Sequence, residues 1–388
     1  MAPALLAGVR VLDLTTFLSG PIATRTLMQL GAEVVKLEPP AGDPTRAGLG
    51  MRPGQPHLEF WWQLHRGRRS VVLDLKSAAG RDALIALATR ADVLVENFRP
   101  GVMERLGLSA ERLRAENPRL ITCSITGFGP DGPAADAPAL DAAVQAFAGA
   151  FEYPPVFGMG DGPIPLTVAD ISGGAAAAQA ILAALYARTR NGQGCHLSLS
   201  LTETLLQWLL VSDRMGFLRS PATLLVEGSD GGRFVVQTTL HFRDRLLELL
   251  DAEPATAGLA RDPRFATWEA RSANADAFVA AARRAFAGRP RAEWLVRLAA
   301  AGIPAGPIQK IEEVLVHPQL QHTGAAAAAG GHRVVRSPFV VDGAREDDTR
   351  PPPTLGEHTS VVFSEWLGLG NDRIAELAAA GAFGKPAG

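Results

Sequence analysis

The chain has 388 residues, 47% of them hydrophobic and 20% charged, which is enough for about two or three domains and a large buried core. Its 38 Lys and Arg against 40 Asp and Glu give a formal net charge of -2, so it lacks the basic surplus that draws proteins to nucleic acid. The composition therefore predicts a globular protein without a nucleic-acid partner.

The first five strands are predicted from short β-rich runs that alternate with helical segments. These runs are VRVLDL (9–14), AEVVKLE (32–38), SVVLDL (70–75), DVLVEN (92–97) and LITCSITGFG (120–129). Alternating strands and helices predict an α/β fold with a mostly parallel, doubly wound sheet. Ligands bind such sheets where loops leave the carboxyl ends of the strands. A GxGxxG fingerprint is missing from the first of these loops, which argues against a dinucleotide-dependent dehydrogenase.

Polar groups follow three of the predicted strands, in TTFLSGP (15–21), LEPPAGDPTR (37–46) and ENFRPG (96–101). Asn97 and Phe98 stand at the third exit, followed by Arg99 and Arg105. Arginines at such a place pair with phosphate and an aromatic ring covers adenine, although a solvated arginine face beside a buried Phe is an equally good interpretation.

Two other parts of the sequence also contain arginines that could bind an anion. Arg46 follows a turn and fits either an exposed loop charge or a phosphate contact. The run HRGRRS contains Arg66, Arg68 and Arg69, for which we slightly favour contacts to a polyanionic ligand over a solvated turn.

Residues 164–178, IPLTVADISGGAAAA, place one carboxylate, Asp170, before a long alanine-rich helix. An Asp at that place is most often an N-cap that accepts first-turn N–H groups. A carboxylate is also a nucleophile in covalent catalysis, and a helix N-terminus would hold it ionised. Gly173 and Gly174 would let a substrate approach the backbone or turn their N–H groups to an oxyanion. The two interpretations of Asp170 are compatible.

The second half of the chain predicts a different arrangement of secondary structure, in which helices predominate. NGQGCHLSLSLTETLL (191–206) fits a turn, a strand and a helix, and amphipathic helices then predict a smaller domain over 210–330. Within it, EGSDGGR (227–233) fits a hairpin turn better than a flexible lid, and AAAAAGG (325–331) fits a loop. Residues 331–388, with a helix over 372–381, are expected to return to the large domain that begins as 1–209.

The cysteines and the N-terminus bear on cellular location. Cys123 and Cys195 are far apart and fit no metal-ligand spacing, which argues against a disulfide framework and a zinc site. The N-terminus lacks the pattern of a signal peptide, and no apolar run of about 18 residues is uninterrupted. We therefore expect a cytoplasmic protein with no metal and no membrane segment.

Taken together, these residues resemble the class III CoA-transferases, the CaiB/BaiF family, over essentially the entire chain. The stretches that carry the resemblance are LAGVRVLDLTTFLSGPIATRTLMQLGAEVVKLEPPAGDPTR, GRRSVVLDLK, ADVLVENFRPGVMERLGL, NPRLITCSITGFGPDGP, VQAFAG, ADISGG and LGEHT. The resemblance implies a Rossmann-like large domain made from both ends of the chain, a smaller α+β domain, and a homodimer of two interlinked chains. It also implies coenzyme A, carried as acyl-CoA, and a carboxylic acid as substrates.

The family's catalytic Asp corresponds to Asp170, which would carry CoA as an aspartyl thioester between donor and acceptor. By the same resemblance the contacts to CoA would come from two loops, with Arg46 and Arg99 assigned less directly. The assigned residues are Phe17, Leu18 and Ser19 in the first loop and Asn97, Phe98 and Arg105 in the second. Gly173, Gly174 and Leu140 would line the oxyanion and substrate pocket.

Two departures from the family pattern separate the possible activities. Formyl-CoA:oxalate transferases of the family carry a Gln where this chain has Leu18, which disfavours oxalate. Related α-methylacyl-CoA racemases use a His where this chain has Leu140, and their Glu falls near His241, so CoA transfer is favoured over racemisation. Leu140 also replaces a Tyr that is common in family transferases. An acyl-CoA racemase or epimerase is the first alternative, and a non-catalytic CoA-binding protein is the second.

Overall fold

The computed structural model describes residues 4–47, 58–152, 166–214, 223–237, 242–345 and 350–384. The chain forms two compact units. The large unit comprises Met1–Ala148, Ile164–Leu206 and Val316–Gly388, and the small unit comprises Gly149–Pro163 and Gln207–Leu315. The sequence placed these boundaries at 209/210 and 330/331.

The large unit is built on a six-stranded parallel sheet. Its strands are β1 (Arg10–Asp13), β2 (Glu33–Glu38), β3 (Arg69–Val72), β4 (Val93–Glu96), β5 (Ile121–Thr126) and β6 (His196–Ser200). Every neighbouring pair is parallel, in the order β3-β2-β1-β4-β5-β6. That is a doubly wound, Rossmann-type order, with reversal between β1 and β4. The predicted α/β class and parallel sheet are confirmed.

Helices follow the strands of this sheet along the chain. They are α1 (Ser19–Gln29), α2 (Leu58–His65), α3 (Ala78–Ala88), α4 (Val102–Arg105), α5 (Ala110–Glu116), α6 (Asp141–Phe147), α7 (Val168–Asn191) and α8 (Leu201–Arg214). α7 packs along α1 and also contacts α6, β5 and β6. Among the described residues, α7 alone has the length and apolar composition of a membrane-spanning helix, and 44% of its apolar window is buried inside the protein. Its packing is that of a core helix in an α/β unit.

The small unit combines a three-stranded antiparallel sheet with short helices. Its elements are β7 (Thr223–Glu227), β8 (Arg233–Gln237), α9 (Arg243–Asp251), α10 (Trp268–Ala273), α11 (Ala275–Phe286), α12 (Arg291–Ala300), β9 (Ala305–Pro307) and α13 (Ile311–Leu315). Glu227 pairs with Arg233 at the end of the β7–β8 hairpin, so the predicted hairpin turn is confirmed. The centre of this unit is a cluster of fully buried aromatic residues, including Phe234, Phe286 and Trp294.

The last segment returns to the large unit. Its elements are α14 (Pro318–Thr323), β10 (Ala326–Ala329), β11 (His332–Val335), β12 (Val340–Val341), β13 (Ala344–Arg345), α15 (Thr359–Leu367) and α16 (Asn371–Ala379). Phe363 and Trp366 of α15 join the core cluster formed by β1–β4, α3 and α5. The loop predicted over 325–331 is wrong, because Ala326–Ala329 pairs with β11 through a Gly330–Gly331 turn.

Candidate active site

Asp170 is the third residue of α7 and not its N-cap. Thr167 occupies the N-cap position and makes no side-chain hydrogen bond to the helix. The N–H groups of Ala169 and Asp170 instead donate to Oδ1 of Asp141, at 2.8 and 3.0 Å. The predicted capping role of Asp170 is therefore wrong, since an acid from α6 takes that role.

The Asp170 carboxylate is half-buried, and its pKa is raised from 3.8 to about 6. Burial is the largest cause, and the negative charge of Asp141 is the second. Hydrogen bonds from the hydroxyl and the backbone N–H of Ser19 favour the ionised form and oppose the shift. The group is thus more basic than a surface Asp yet mainly ionised at pH 7. The sequence predicts that the start of the helix holds this carboxylate ionised, but the pKa is raised because burial and Asp141 outweigh that effect.

The predicted cofactor loop after β1 lies against Asp170 through Ser19, which is 3% exposed and begins α1. Leu18 is the N-cap residue of α1 and is half-buried. Phe17 has a φ of 61°, in the left-handed region, and its side chain is 40% exposed. A bulky residue in that conformation is strained, and such strain concentrates at functional sites.

The second predicted cofactor loop, after β4, is joined to the first one. Oδ1 of Asn97 accepts the N–H of Thr16 and its Nδ2 donates to the Thr16 carbonyl, each at 2.9 Å. The structure therefore joins the two predicted loops through Asn97 and Thr16, and the first loop meets Asp170 through Ser19.

Phe98 is half-buried and packs against the core cluster of the large unit. Its backbone N–H donates to the carboxylate of Glu96 at 2.8 Å. Burial raises the pKa of Glu96. Phe98 and Arg99 also line a cavity of about 210 Å³ beside Glu96. Part of the Phe98 ring therefore packs in the protein interior and is not available to a ligand.

The predicted arginines fall into two groups. Arg99 and Arg105 are exposed, and across the described ranges neither guanidinium has a hydrogen bond or an ion pair. Arg46, by contrast, makes a bidentate pair with Glu38 at 2.6 and 2.7 Å, donates to the Pro353 carbonyl at 3.0 Å and lies over the ring of Trp61. Arg99 and Arg105 are therefore the better placed of the three to meet an anionic ligand.

The slightly favoured phosphate role is wrong for Arg66 and Arg68, which are buried. Arg68 is buried, pairs with Asp13 and donates to the Pro21 carbonyl at 2.6 Å. Arg66 is 5% exposed and donates to the Val335 carbonyl at 2.7 Å. Arg69 forms surface ion pairs with two glutamates, Glu33 and Glu365. Arg66 and Arg68 thus serve the protein's own packing, and Arg69 is held by partners at the surface.

Gly173 and Gly174 are buried inside α7, and their N–H groups donate along the helix. A Cβ at Gly173 would lie 2.2 Å from Cδ2 of Leu201, and one at Gly174 would lie 2.4 Å from the carbonyl oxygen of Ser19. Their N–H groups are therefore taken up within the helix, which makes Gly173 and Gly174 poor candidates for the predicted oxyanion role. Their role is to let α1 and α8 approach α7 closely.

Leu140 is the N-cap residue of α6 and is 67% exposed, directly before the Asp141 that holds Asp170. Leu166 and Ile171, which flank the start of α7, are also exposed apolar side chains. His241 lies outside the described residues. Within the described part of the chain, no three His, Cys, Asp or Glu side chains form a group that could hold a metal ion.

Sequence reasoning missed Asp141 and the Glu96–Phe98 contact. The stretch PALDAAVQ contains Asp141, but nothing in its local pattern shows that the carboxylate caps a helix that begins 27 residues later, at Val168 (168 − 141). The sequence signal that could have indicated a buried Glu96 is the position of its carboxylate at the end of an apolar strand.

Comparisons with known proteins give the family of this chain. The family model described as CoA-transferase family III matches residues 6–359. Acetyl-CoA:oxalate CoA-transferase of Acetobacter aceti is 35% identical, over 92% of this chain and 95% of the relative. Succinate–glutarate CoA-transferase of Agrobacterium fabrum is 34% identical, over 93% and 95%. The crystal structure of a CAIB/BAIF family protein from Brucella suis is 31% identical with a TM-score of 0.79, over 94% of this chain and 99% of that one.

Proposed function

The chain belongs to CoA-transferase family III, the CaiB/BaiF family, and we propose that it moves CoA from an acyl-CoA to a free carboxylic acid through a thioester on Asp170. The observation that carries the proposal is the Asp170 carboxylate itself. It is half-buried at the start of α7, has a pKa raised to about 6 and lies beside the strained loop that Asn97 holds. A basic, ionised carboxylate in that position is a nucleophile.

The reaction needs no external acid or base. Asp170 Oδ attacks the donor thioester carbonyl, the C–S bond breaks, and CoA leaves as a thiolate, which produces a mixed anhydride between Asp170 and the acyl group. The thiolate attacks Cγ of Asp170 and releases the donor acid as a carboxylate, which leaves an aspartyl-CoA thioester. The acceptor carboxylate attacks this Cγ and expels the thiolate, which then attacks the acceptor carbonyl and regenerates Asp170.

Each attack creates a tetrahedral oxyanion, which donors in a poorly hydrated site stabilise. The N–H groups of Gly173 and Gly174 are committed to the helix, so we assign this role to Ser19. Its hydroxyl and backbone N–H both interact with the Asp170 carboxylate. The same donors hold the resting nucleophile ionised.

For CoA itself, Arg99 and Arg105 are the proposed phosphate contacts, because both are exposed and carry no partner in the described structure. Phe17, Leu18 and Asn97 belong to the joined loops at the carboxyl ends of β1 and β4, where ligands of doubly wound sheets bind. We assign Arg46 to supporting that edge through its pair with Glu38 rather than to direct contact.

The acceptor is proposed to be an apolar carboxylic acid. Two relatives are named for oxalate and glutarate. This chain has Leu18 where formyl-CoA:oxalate transferases of the family carry Gln, and the exposed side chains of Leu140, Leu166 and Ile171 lie at the starts of α6 and α7. Desolvating a second carboxylate against these side chains would be costly.

We also propose an interlinked homodimer in the cytoplasm. Large apolar side chains of α7 and α8 are exposed in the single chain, including Tyr186 at 68% and Trp208 at 57%, and a second copy would cover them. Both cysteines are free thiols, which fits a reducing compartment.

A transfer assay tests the activity. Acetyl-CoA, succinyl-CoA and branched or aromatic acyl-CoAs are each incubated with a panel of carboxylic acids, and new acyl-CoA is measured for wild type and Asp170→Ala. We expect transfer in wild type only. The same donors in deuterated water without an acceptor report racemisation as deuterium at the α carbon. Transfer that persists in Asp170→Ala, or deuterium uptake without transfer, would contradict the proposal.

A further inference from the structure

The first turn of α7 takes its cap from a different helix. Asp141, the first residue of α6, accepts the N–H groups of Ala169 and Asp170 through the single atom Oδ1. The first N–H groups of any helix lack a partner within that helix. Because Thr167 supplies no side-chain cap, Asp141 provides these acceptors from outside.

Asp141 is itself held in place. Gln145, one turn further along α6 and 1% exposed, donates Nε2 to Oδ2 of Asp141 and to the Leu166 carbonyl, the latter at 3.2 Å. The Leu166 carbonyl also accepts the N–H of Val168 at 2.8 Å. The carboxylate is therefore fixed on both of its oxygens, and its position determines where the backbone of Asp170 lies.

We propose that Asp141 is a positioning residue for Asp170: it fixes the backbone of the nucleophile so that the carboxylate meets Ser19, and it holds a second negative charge close to that carboxylate. The inference rests on the proposed function of Asp170.

Two observations support the electrostatic part. The charge of Asp141 is the second of the two causes that raise the pKa of Asp170, after burial. In the described structure Asp141 is also the one charged residue that shifts the pKa of Asp170. The other helices around it present uncharged groups: Ser19 of α1 faces the carboxylate, and Leu201 of α8 contacts the neighbouring Gly173. A more basic carboxylate is a better nucleophile once ionised.

Two substitutions separate position from charge. Asp141→Asn keeps an oxygen acceptor and loses the charge, whereas Asp141→Ala loses both. Asp372→Asn is the control, because Asp372 is an exposed acid in the first turn of α16. The measurements are the rate at which Asp170 gains CoA, its dependence on pH, and KM for the acyl-CoA.

We expect Asp141→Ala to slow CoA attachment at pH 7.5 by about tenfold or more, the effect of losing at least one hydrogen bond to a charged group, with KM unchanged. Asp141→Asn should move the acid limb of the pH profile to lower pH with a smaller loss of rate. Asp372→Asn should match wild type. Wild-type rates in Asp141→Ala, or an unmoved acid limb in Asp141→Asn, would overturn the proposal.

Two further results keep the proposal testable. If Asp141→Ala does not fold, the pH profile of Asp141→Asn decides. If wild type never gains CoA on Asp170, the proposed function fails, and a ¹³C-NMR titration of the Asp170 carboxyl, assigned by its loss in Asp170→Asn, tests Asp141 separately. A lower Asp170 pKa in Asp141→Asn supports the positioning role, and an equal pKa overturns it.

Discussion

Asn97 holds Thr16 through both ends of its side-chain amide, accepting the Thr16 N–H and donating to the Thr16 carbonyl at 2.9 Å each. This pair ties the exit of β4 to the loop after β1. The next residue, Phe17, has a φ of 61°. A conformation that a bulky residue rarely adopts must be imposed by its surroundings, and the two hydrogen bonds of Asn97 are the restraint immediately before it.

Asn97→Ala is therefore expected to raise KM for the acyl-CoA substantially more than it lowers kcat. The substitution removes two hydrogen bonds of about 0.5–1.5 kcal/mol each, so the loop relaxes and must be reordered when CoA binds. Steady-state kinetics with varied acyl-CoA measures the effect.

Asn117→Ala is the matched control for that substitution. Nδ2 of Asn117 also makes two backbone hydrogen bonds, to the carbonyls of Ala88 and Ala91 at 2.9 Å each, in the same unit. It should lower Tm to a similar extent and leave KM unchanged. Equal rises in KM for both variants would contradict the loop explanation.

The pH dependence of kcat/KM should show an acid limb with an apparent pKa of about 6, the value raised by burial and by Asp141. Below that pH Asp170 is protonated and cannot attack, so activity falls as the pH falls. The stability contribution has the opposite sign: a carboxyl with a raised folded-state pKa stabilises the fold below its unfolded pKa, and that contribution is lost as the pH rises through about 6. An acid limb near the ordinary Asp pKa of about 4 would refute this assignment.

Gly174→Ala should destabilise the large unit by about 1–3 kcal/mol and lower activity, because overpacking forces α1 away from α7. Its new Cβ would meet the Ser19 carbonyl oxygen at 2.4 Å and Cβ of Ile22 at 2.8 Å. Gly173→Ala meets the end of the Leu201 side chain, which is more able to move, so its cost should be smaller. Gly370→Ala, in open space, serves as the control, and urea unfolding ranks the three. An equal cost at positions 174 and 370 would refute close helix packing.

Arg68→Met should cost about 3–5 kcal/mol, because it leaves the carboxylate of Asp13 buried without its ion pair. Burial alone would raise the pKa of Asp13, but the charges of Arg68 and Lys36 hold it below its usual value. The neighbouring Arg69→Met removes only surface pairs and should cost less than about 1 kcal/mol. Similar free energies of unfolding for both variants would show that Arg68 is not the interior ion-pair partner described above.

The strands of the large unit were predictable because a parallel sheet buries both faces and leaves continuous apolar runs. The tract Ala326–Ala329 was missed as a strand because alanine has little β-propensity and its pairing with β11 is tertiary. For the same reason the burial of Arg68 was hidden, since its partner Asp13 lies 55 residues away.

Within the site, the position of Asp170 before two glycines was visible in the sequence, and so were the loops that reach it. Its environment was not. The acid that caps α7 stands 29 residues before Asp170 on another helix, and the same acid helps to raise the pKa of Asp170. Local patterns report which groups are present, whereas the packing of α6 on α7 determines which of the two carboxylates caps the helix.

The most direct test of the account is intact-mass analysis after brief incubation with an acyl-CoA donor, followed by peptide mapping. We predict that wild type gains CoA as a thioester on Asp170, that hydroxylamine removes it, and that Asp170→Asn gains none. A protein that catalyses transfer while Asp170 stays unmodified under single-turnover conditions, or an Asp170→Asn variant that is labelled as readily as wild type, would contradict the central claim.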